Sequence, residues 1–232
     1  MTIAIPTTST NTTASGTSHA VTMPSGINAG DVLLYFGCFA QPQPSLTYSG
    51  SWTNQQLTNH VLSLTNEICL AVATLVAAGG DTLTITSGAT SKGAHAVYRV
   101  TGCDMSSWVQ SNDGCTPSEG SSANPDPPTV ADTTNFTRNL WVAYMGISGT
   151  RTTTSYPANY TTAQLTQGSG SGSASTNCTI AVAARILTTT SDNPGAFTMS
   201  ASTEWGAGTR AFYASAAVSQ FMLVNTAIGG RP

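Results

Sequence analysis

Charged side chains are scarce in this chain. Seven Lys and Arg and ten Asp and Glu among 232 residues amount to 7%, where about a quarter is usual in globular proteins. Lysine occurs once, as Lys92. So thin a set of cations offers no basic stripe to a phosphate backbone, and nucleic acid is not expected as a direct partner. Long apolar runs are missing as well. No segment approaches the roughly 18 uninterrupted apolar residues of a membrane-spanning helix, and Met1 to Pro6 carries neither the charged start nor the long apolar stretch of a secretion signal. The expectation is a soluble protein made in a cytoplasm, with no membrane partner.

Cysteine pairs at metal or redox spacing are also missing. The five cysteines form an odd set without a C-x-x-C. Cys38, Cys69 and Cys178 stand inside apolar runs, where a thiol acts as a small buried hydrophobe. Cys103 and Cys115 bracket a polar segment that a disulfide could close, although a cytoplasmic product is reduced by default.

Catalytic strings are absent: there is no G-x-S-x-G, H-E-x-x-H or P-loop. Of His19, His60 and His95, the last alternates with Ala94 and Ala96, the pattern of a strand histidine, either solvated or hydrogen-bonded. Gly206-Ala-Gly208-Thr-Arg-Ala211 fits G-x-G-x-x-A in letters, but a strand is predicted after it where a dinucleotide site needs a helix, so it reads as a turn. Asp113, Glu119, Asp126 and Asp132 gather in one polar stretch without the spacing of a calcium loop, and read as a solvated acidic loop. No catalytic residue, cofactor or metal site is assigned. Trp141 lies in an apolar run and is predicted core. Trp52, Trp108 and Trp205 adjoin turns, where they would cap the ends of the fold or form a sugar-binding patch, with capping favoured.

What is present is Thr, Ser, Gly and Ala beside a near-normal 40% of hydrophobic residues. Disordered chains pair low hydrophobicity with high net charge, and this one does neither, so an ordered fold with a neutral, hydroxyl-rich surface is expected. Short β-favouring runs recur: HAVTM (19–23), DVLLYFGCF (31–39), ICLAVATLV (68–76), TLTIT (82–86) and AHAVYRV (94–100). The series continues with NLWVAYMGI (139–147), TIAVAARIL (179–187), AFTMSA (196–201), RAFYASAAV (210–218) and FMLVN (221–225). Gly, Pro, Asn and Ser clusters separate them, which predicts an all-β chain. ICLAVATLVAA would suit a helix, but a hairpin-spaced Thr-rich run follows and no capping box precedes it.

The two halves match in order. Asp31-Val-Leu-Leu-Tyr-Phe-Gly aligns with Asn139-Leu-Trp-Val-Ala-Tyr-Met-Gly, Trp52-Thr53 with Tyr160-Thr161, Ala71-Val-Ala73 with Ala181-Val-Ala183, TLTITSG with AFTMSAS, and the Gly93–Tyr98 run with Thr209–Tyr213. Such a repeat means two similar domains or two halves of one sandwich, and the second is favoured. The predicted layout is a flexible arm (1–17), one antiparallel sandwich (18–227) and a tail (228–232), with halves at 18–102 and 130–218. Cys103 to Asn139 is predicted as a surface crossing and Gln167 to Ser175 as a loop tip. The arm is too Thr-rich to fold alone, so Thr2, Ile3, Ile5 and Pro6, with Ile228 and Pro232 of the tail, are the expected assembly contacts.

The run SHAVTMPSGINAGDVLLYFGCF, then SGSWT, then GAHAVYRVTG, resembles a β-sandwich, jelly-roll-like domain of tailed-bacteriophage structural proteins. Its landmarks here are Pro24, Gly26, Gly30, Asp31, Leu33, Leu34, Trp52, Thr53, Tyr98, Arg99, Val100 and Gly102. The resemblance implies a tight turn at Gly30-Asp31, Trp52 closing one end of the sandwich, and a virion protein without catalytic residues. The expected function is a capsid decoration (cement) protein on the outer surface of a phage head. Its partners would be the major capsid protein and copies of itself, as a trimer; the alternative is a tail or fibre adhesin binding a host glycan.

Overall fold

The computed structural model describes residues 2–40, 45–54, 60–61, 68–103, 118–131, 138–171 and 176–212. Among them no helix occurs, and the strands in chain order are β1 (Ala4–Val21), β2 (Val32–Phe39), β3 (Leu46–Tyr48), β4 (Thr53–Asn54), β5 (His60–Val61), β6 (Cys69–Val76), β7 (Leu83–Thr101) and β8 (Ser118–Ser122). There follow β9 (Val130–Ala131), β10 (Arg138–Ser148), β11 (Thr153–Ser155), β12 (Thr162–Gly168), β13 (Cys178–Thr189), β14 (Ser191–Asp192), β15 (Thr198–Met199) and β16 (Thr203–Phe212). ICLAVATLV is strand β6, as its flanks predict.

One sheet runs β1-β7-β2-β6-β4, with β3 on β7 and β5 on β6; the other runs β8-β16-β10-β13-β12. Numbering β1, β2, β4, β6, β7 and β8, β10, β12, β13, β16 each from one to five, both paths read 1-5-2-4-3. One smaller pairing in each half follows suit. β3 pairs with the first part of β7, and β11 pairs with β15, which precedes β16 as that part of β7 precedes the rest. The pseudo-repeat is therefore a repeat of topology, and the all-β antiparallel sandwich is present.

The register fixes which residues correspond. Phe36 pairs with Val72 and Ala96, and Tyr144 with Val182 and Gly208. Thus Val72 corresponds to Val182, as the letters propose, and Asp31 to Asn139. The two glycines of that alignment do not correspond, because Gly37 takes the place of Met145. Gly37 shares an outer face with Tyr35, whereas a Cβ on Gly146 would meet Leu70 and Cys38 in the central core. A slip of one residue reverses the face of a strand, so the face decides. The Tyr98–Tyr213 match fails similarly: the counterpart of Tyr98 is Arg210.

Three apolar cores result. The central one lies between the sheets and holds Val32, Leu34, Phe36, Val72, Tyr98, Leu140, Val142, Tyr144 and Val182. The equivalent residues Phe36 and Tyr144 meet there with ring centroids 5.4 Å apart. Outside the first sheet a second core gathers Val21, Leu33, Tyr35, Phe39, Trp52, Ile85 and Val97. Outside the other, a third gathers Trp141, Met145, Tyr160, Phe197, Met199 and Trp205. Strands β2 and β10 are covered on both faces, which is why they read as unbroken apolar runs. Each fully buried aliphatic or Phe side chain contributes about 1.5–3 kcal/mol.

Several expectations are corrected. Residues 4–16, predicted as part of a flexible arm, are the first part of an 18-residue strand paired along β7. Ile3 is buried in the central core and Ile5 packs against it, so both are internal rather than free contacts. Pro6 is exposed beside the register shift between Ala4 and Thr7, and the exposed Thr2 lies with its carbonyl against Gly102, whose φ is +71°. The hydroxyls and amides of the supposed arm form ties: Thr7 Oγ1 donates to Ser25 O (2.9 Å), Ser9 Oγ to Thr22 O (2.6 Å) and Asn11 Nδ2 to Ala20 O (2.9 Å).

The predicted crossing holds the edge strand β8, so the halves begin at Ala4 and Ser118 rather than at 18 and 130. Gly206-Ala-Gly208 is interior to β16 and not a turn. Glycine is required at 208 because a Cβ there would collide with the Tyr144 ring laid along the strand. Ile228 and Pro232 of the predicted tail, Cys115, Trp108, Asp113, Asp132 and the run FMLVN lie outside the described residues.

Candidate functional site

Where β1 crosses β7 and β2, five polar side chains meet in a chain of hydrogen bonds. Tyr35 OH is 2.9 Å from His95 Nδ1, and His95 Nε2 is 3.0 Å from Thr13 Oγ1. Thr13 Oγ1 is 2.7 Å from His19 Nδ1, and His19 Nε2 is 3.1 Å from Ser87 Oγ. Ser87 Oγ in turn donates to Ala89 O at 2.9 Å. Both imidazoles are fully buried, and the Phe39 ring packs edge-on to each, at 5.0 Å from His19 and 5.6 Å from His95.

The direction of this chain follows from its ends. Tyr35 has His95 as its hydrogen-bond partner, so its hydroxyl donates to Nδ1 and each imidazole is a neutral Nε2–H tautomer, an assignment made from the network. Protons then point from Tyr35 through His95, Thr13 and His19 to Ser87, ending on a backbone carbonyl. The opposite direction would leave the buried tyrosine O–H without an acceptor, which is costly. Burial, and for His95 the nearby His19, hold both imidazoles neutral: the His19 pKa is lowered and that of His95 falls to about 3. Burial likewise pushes Tyr35 well above its ordinary range.

A serine beside a histidine was not foreseen. Ser87 and His19 are within hydrogen-bond reach, a pairing that no motif in the sequence announces. Yet His19 donates to Ser87 in this arrangement, whereas a general base must accept the serine proton. Both residues are sealed, with Ser87 4% exposed. What the arrangement does is fasten β1 to β7 and β2.

Asp31 and Arg99 form a second tie, with Nε and Oδ2 2.6 Å apart. The same oxygen accepts Asn28 N at 2.8 Å, closing the turn at Gly30, whose φ is +87°. This joins the two ends of the landmark pattern, the G-D start and the Y-R-V strand.

Trp141 is core, as predicted, and the two described turn-adjacent indoles, Trp52 and Trp205, are buried and tied inward. Trp52 Nε1 donates to Thr82 O (3.1 Å), Trp141 Nε1 to Leu187 O (3.0 Å) and Trp205 Nε1 to Ser122 Oγ (3.0 Å), with all three rings buried. A sugar-stacking patch on Trp52 or Trp205 is thereby lost. Beside Trp52 a cleft of about 370 Å³ opens at the rim, lined by the turn Ser49–Trp52, the end of β6 (Leu75, Val76) and the turn 78–82. Among the expected loop acids, Glu119 lies in β8, and Asp126 offers its backbone carbonyl to Ser118 Oγ (2.6 Å). Cys38, Cys69, Cys103 and Cys178 are buried. The Cys103–Cys115 pairing and His60's surroundings fall outside the described residues.

His95 was singled out from the sequence, but its partners Thr13 and Tyr35 were not, since 82 residues separate Thr13 from His95. No protein-family model, curated protein or solved structure matches this chain.

Proposed function

We propose that this chain is a non-enzymatic structural protein of a virus particle, a decoration protein that binds the outside of a phage head. The observation that carries the reading is where the reactive side chains are directed. The histidine relay, the Asp31–Arg99 pair and the indole donors all point inward and tie strands together. What faces solvent is a nearly neutral, hydroxyl-rich surface on a rigid double-layered scaffold. Such a surface attaches by shape-matched apolar contacts and hydrogen bonds, with little long-range charge.

On this reading the partners are the major capsid protein and further copies of the chain, arranged as a trimer, on the virion surface. Since β1 belongs to the first sheet, attachment uses the assembled sandwich rather than a threaded arm, and deleting residues 1–16 would damage the fold. The deciding experiment is cosedimentation of the purified protein with isolated phage heads. Saturable binding that persists at about 1 M salt is expected, because screening at that strength removes charge-driven attachment. Failure to bind heads, or labelling of the tail tip in electron micrographs, would overturn the assignment.

A further inference from the structure

The pseudo-repeat identifies a site that one half fills and the other leaves open. Among the described residues two large apolar side chains are exposed, Val76 (50%) and Ile186 (49%). They are counterparts: Val76 pairs with Val32 and Ile186 with Leu140, at the same register of the two sheets. In each half an aromatic residue from the turn before β4 or β12 donates to the connection that leaves the strand. Trp52 donates to Thr82 O, and Tyr160 OH donates to Asp192 Oδ2 at 2.8 Å.

At the position before the exposed aliphatic the halves diverge. The second half has Arg185, whose Nη1 lies 3.1 Å from Asp192 Oδ1, so its rim carboxylate holds a guanidinium. The first half has Leu75 there, and its rim carboxylate, Asp81, accepts the turn amides of Ala78 (3.1 Å) and Gly79 (2.9 Å). Leu75, Val76, Trp52 and Asp81 all line the 370 Å³ cleft.

We propose that this cleft receives an arginine side chain from a partner protein, its aliphatic stem against Val76 and its guanidinium on Asp81. Arginine suits the place because its stem covers apolar surface while its fork matches a carboxylate. The inference stands apart from the decoration reading, since the partner is defined by its arginine alone.

The test is an NMR titration of the whole chain with N-acetyl-arginine methylamide, with the uncharged citrulline isostere as control. Saturable shifts of the amides of Ser49–Ser51 and Ala78–Thr82 are expected with the arginine compound and not with citrulline. Asp81→Asn, which keeps an oxygen for the turn amides, should weaken binding about three- to fivefold, the size expected of an exposed ion pair. Leu75→Arg, imitating Arg185, should fill the cleft from within and abolish the response; because it alters a packed residue, Asp81→Asn is the primary variant. No saturable shift at these amides, equal shifts with citrulline, or unchanged binding by Asp81→Asn would overturn the proposal.

Discussion

The two halves share a strand order and differ in how each secures its outer layer. Beside its Asp31–Arg99 pair, the first half has a line of neutral groups, Tyr35, His95, Thr13, His19 and Ser87, joined by hydrogen bonds. In the second half the positions of Tyr35 and His95 are taken by Ala143 and Ala207, both fully buried. Its outer layer is tied instead by Arg185, Asp192 and Tyr160, and by Thr209 Oγ1 donating to Pro128 O at 2.7 Å. Topology is therefore set by the backbone ladders and the central core, which the halves have in common. The outer polar networks differ without altering the strand path, so they act as local fasteners.

The comparison breaks first at what the halves share. Phe36→Ala, in the middle of the central core, is expected to cost about 3–5 kcal/mol. Denaturant melts followed at both halves should still coincide. Two separated transitions would show that the halves are independent domains rather than parts of one sandwich.

The next effect should appear in the first half alone. An imidazole whose pKa is depressed in the folded protein favours the native state above its unfolded pKa of about 6.5 and loses that advantage as pH falls. For His95 the loss runs from about pH 6.5 down to about 3 and amounts to roughly 3 kcal/mol near pH 4 at about 1.4 kcal/mol per unit. Hydrogen exchange in acid should accelerate along β1 and β7 before β10 and β13, and His95→Gln should flatten the difference. Uniform exchange in both halves would remove the relay as the acid-sensitive element.

Smaller effects separate the fasteners. Tyr35→Phe and Tyr160→Phe each delete one buried hydroxyl and should cost about 1–2 kcal/mol. The Tyr35→Phe loss should shrink as His95 protonates; a loss that stays constant from neutral pH down to about pH 3 would contradict the hydrogen bond assigned between them. Smallest of all is Ala163, which sits at φ +49° in the bulge of β12 and whose carbonyl accepts the Tyr98 hydroxyl. Ala163→Gly should stabilise by up to about 1 kcal/mol, since glycine adopts that conformation without strain. A calorimetric melt that falls would show the methyl's packing to outweigh the strain.

The sequence by itself determined the strands buried on both faces. DVLLYFGCF, ICLAVATLV, NLWVAYMGI and TIAVAARIL are apolar because both faces are covered, and the equivalence of Val72 with Val182 is legible in their spacing. It also pointed to the inward role of two indoles beside turns, Trp52 and Trp205. Only the tertiary structure decided that the Thr-rich start is a strand. Polar residues satisfied across 13 or 18 positions, as Ser9 and Thr7 are, leave no apolar alternation to read. The same holds for the relay. Each depends on groups that are distant in the chain and brought within 3 Å or so by the sheet register, a geometry that hydrogen bonding requires and local sequence does not encode.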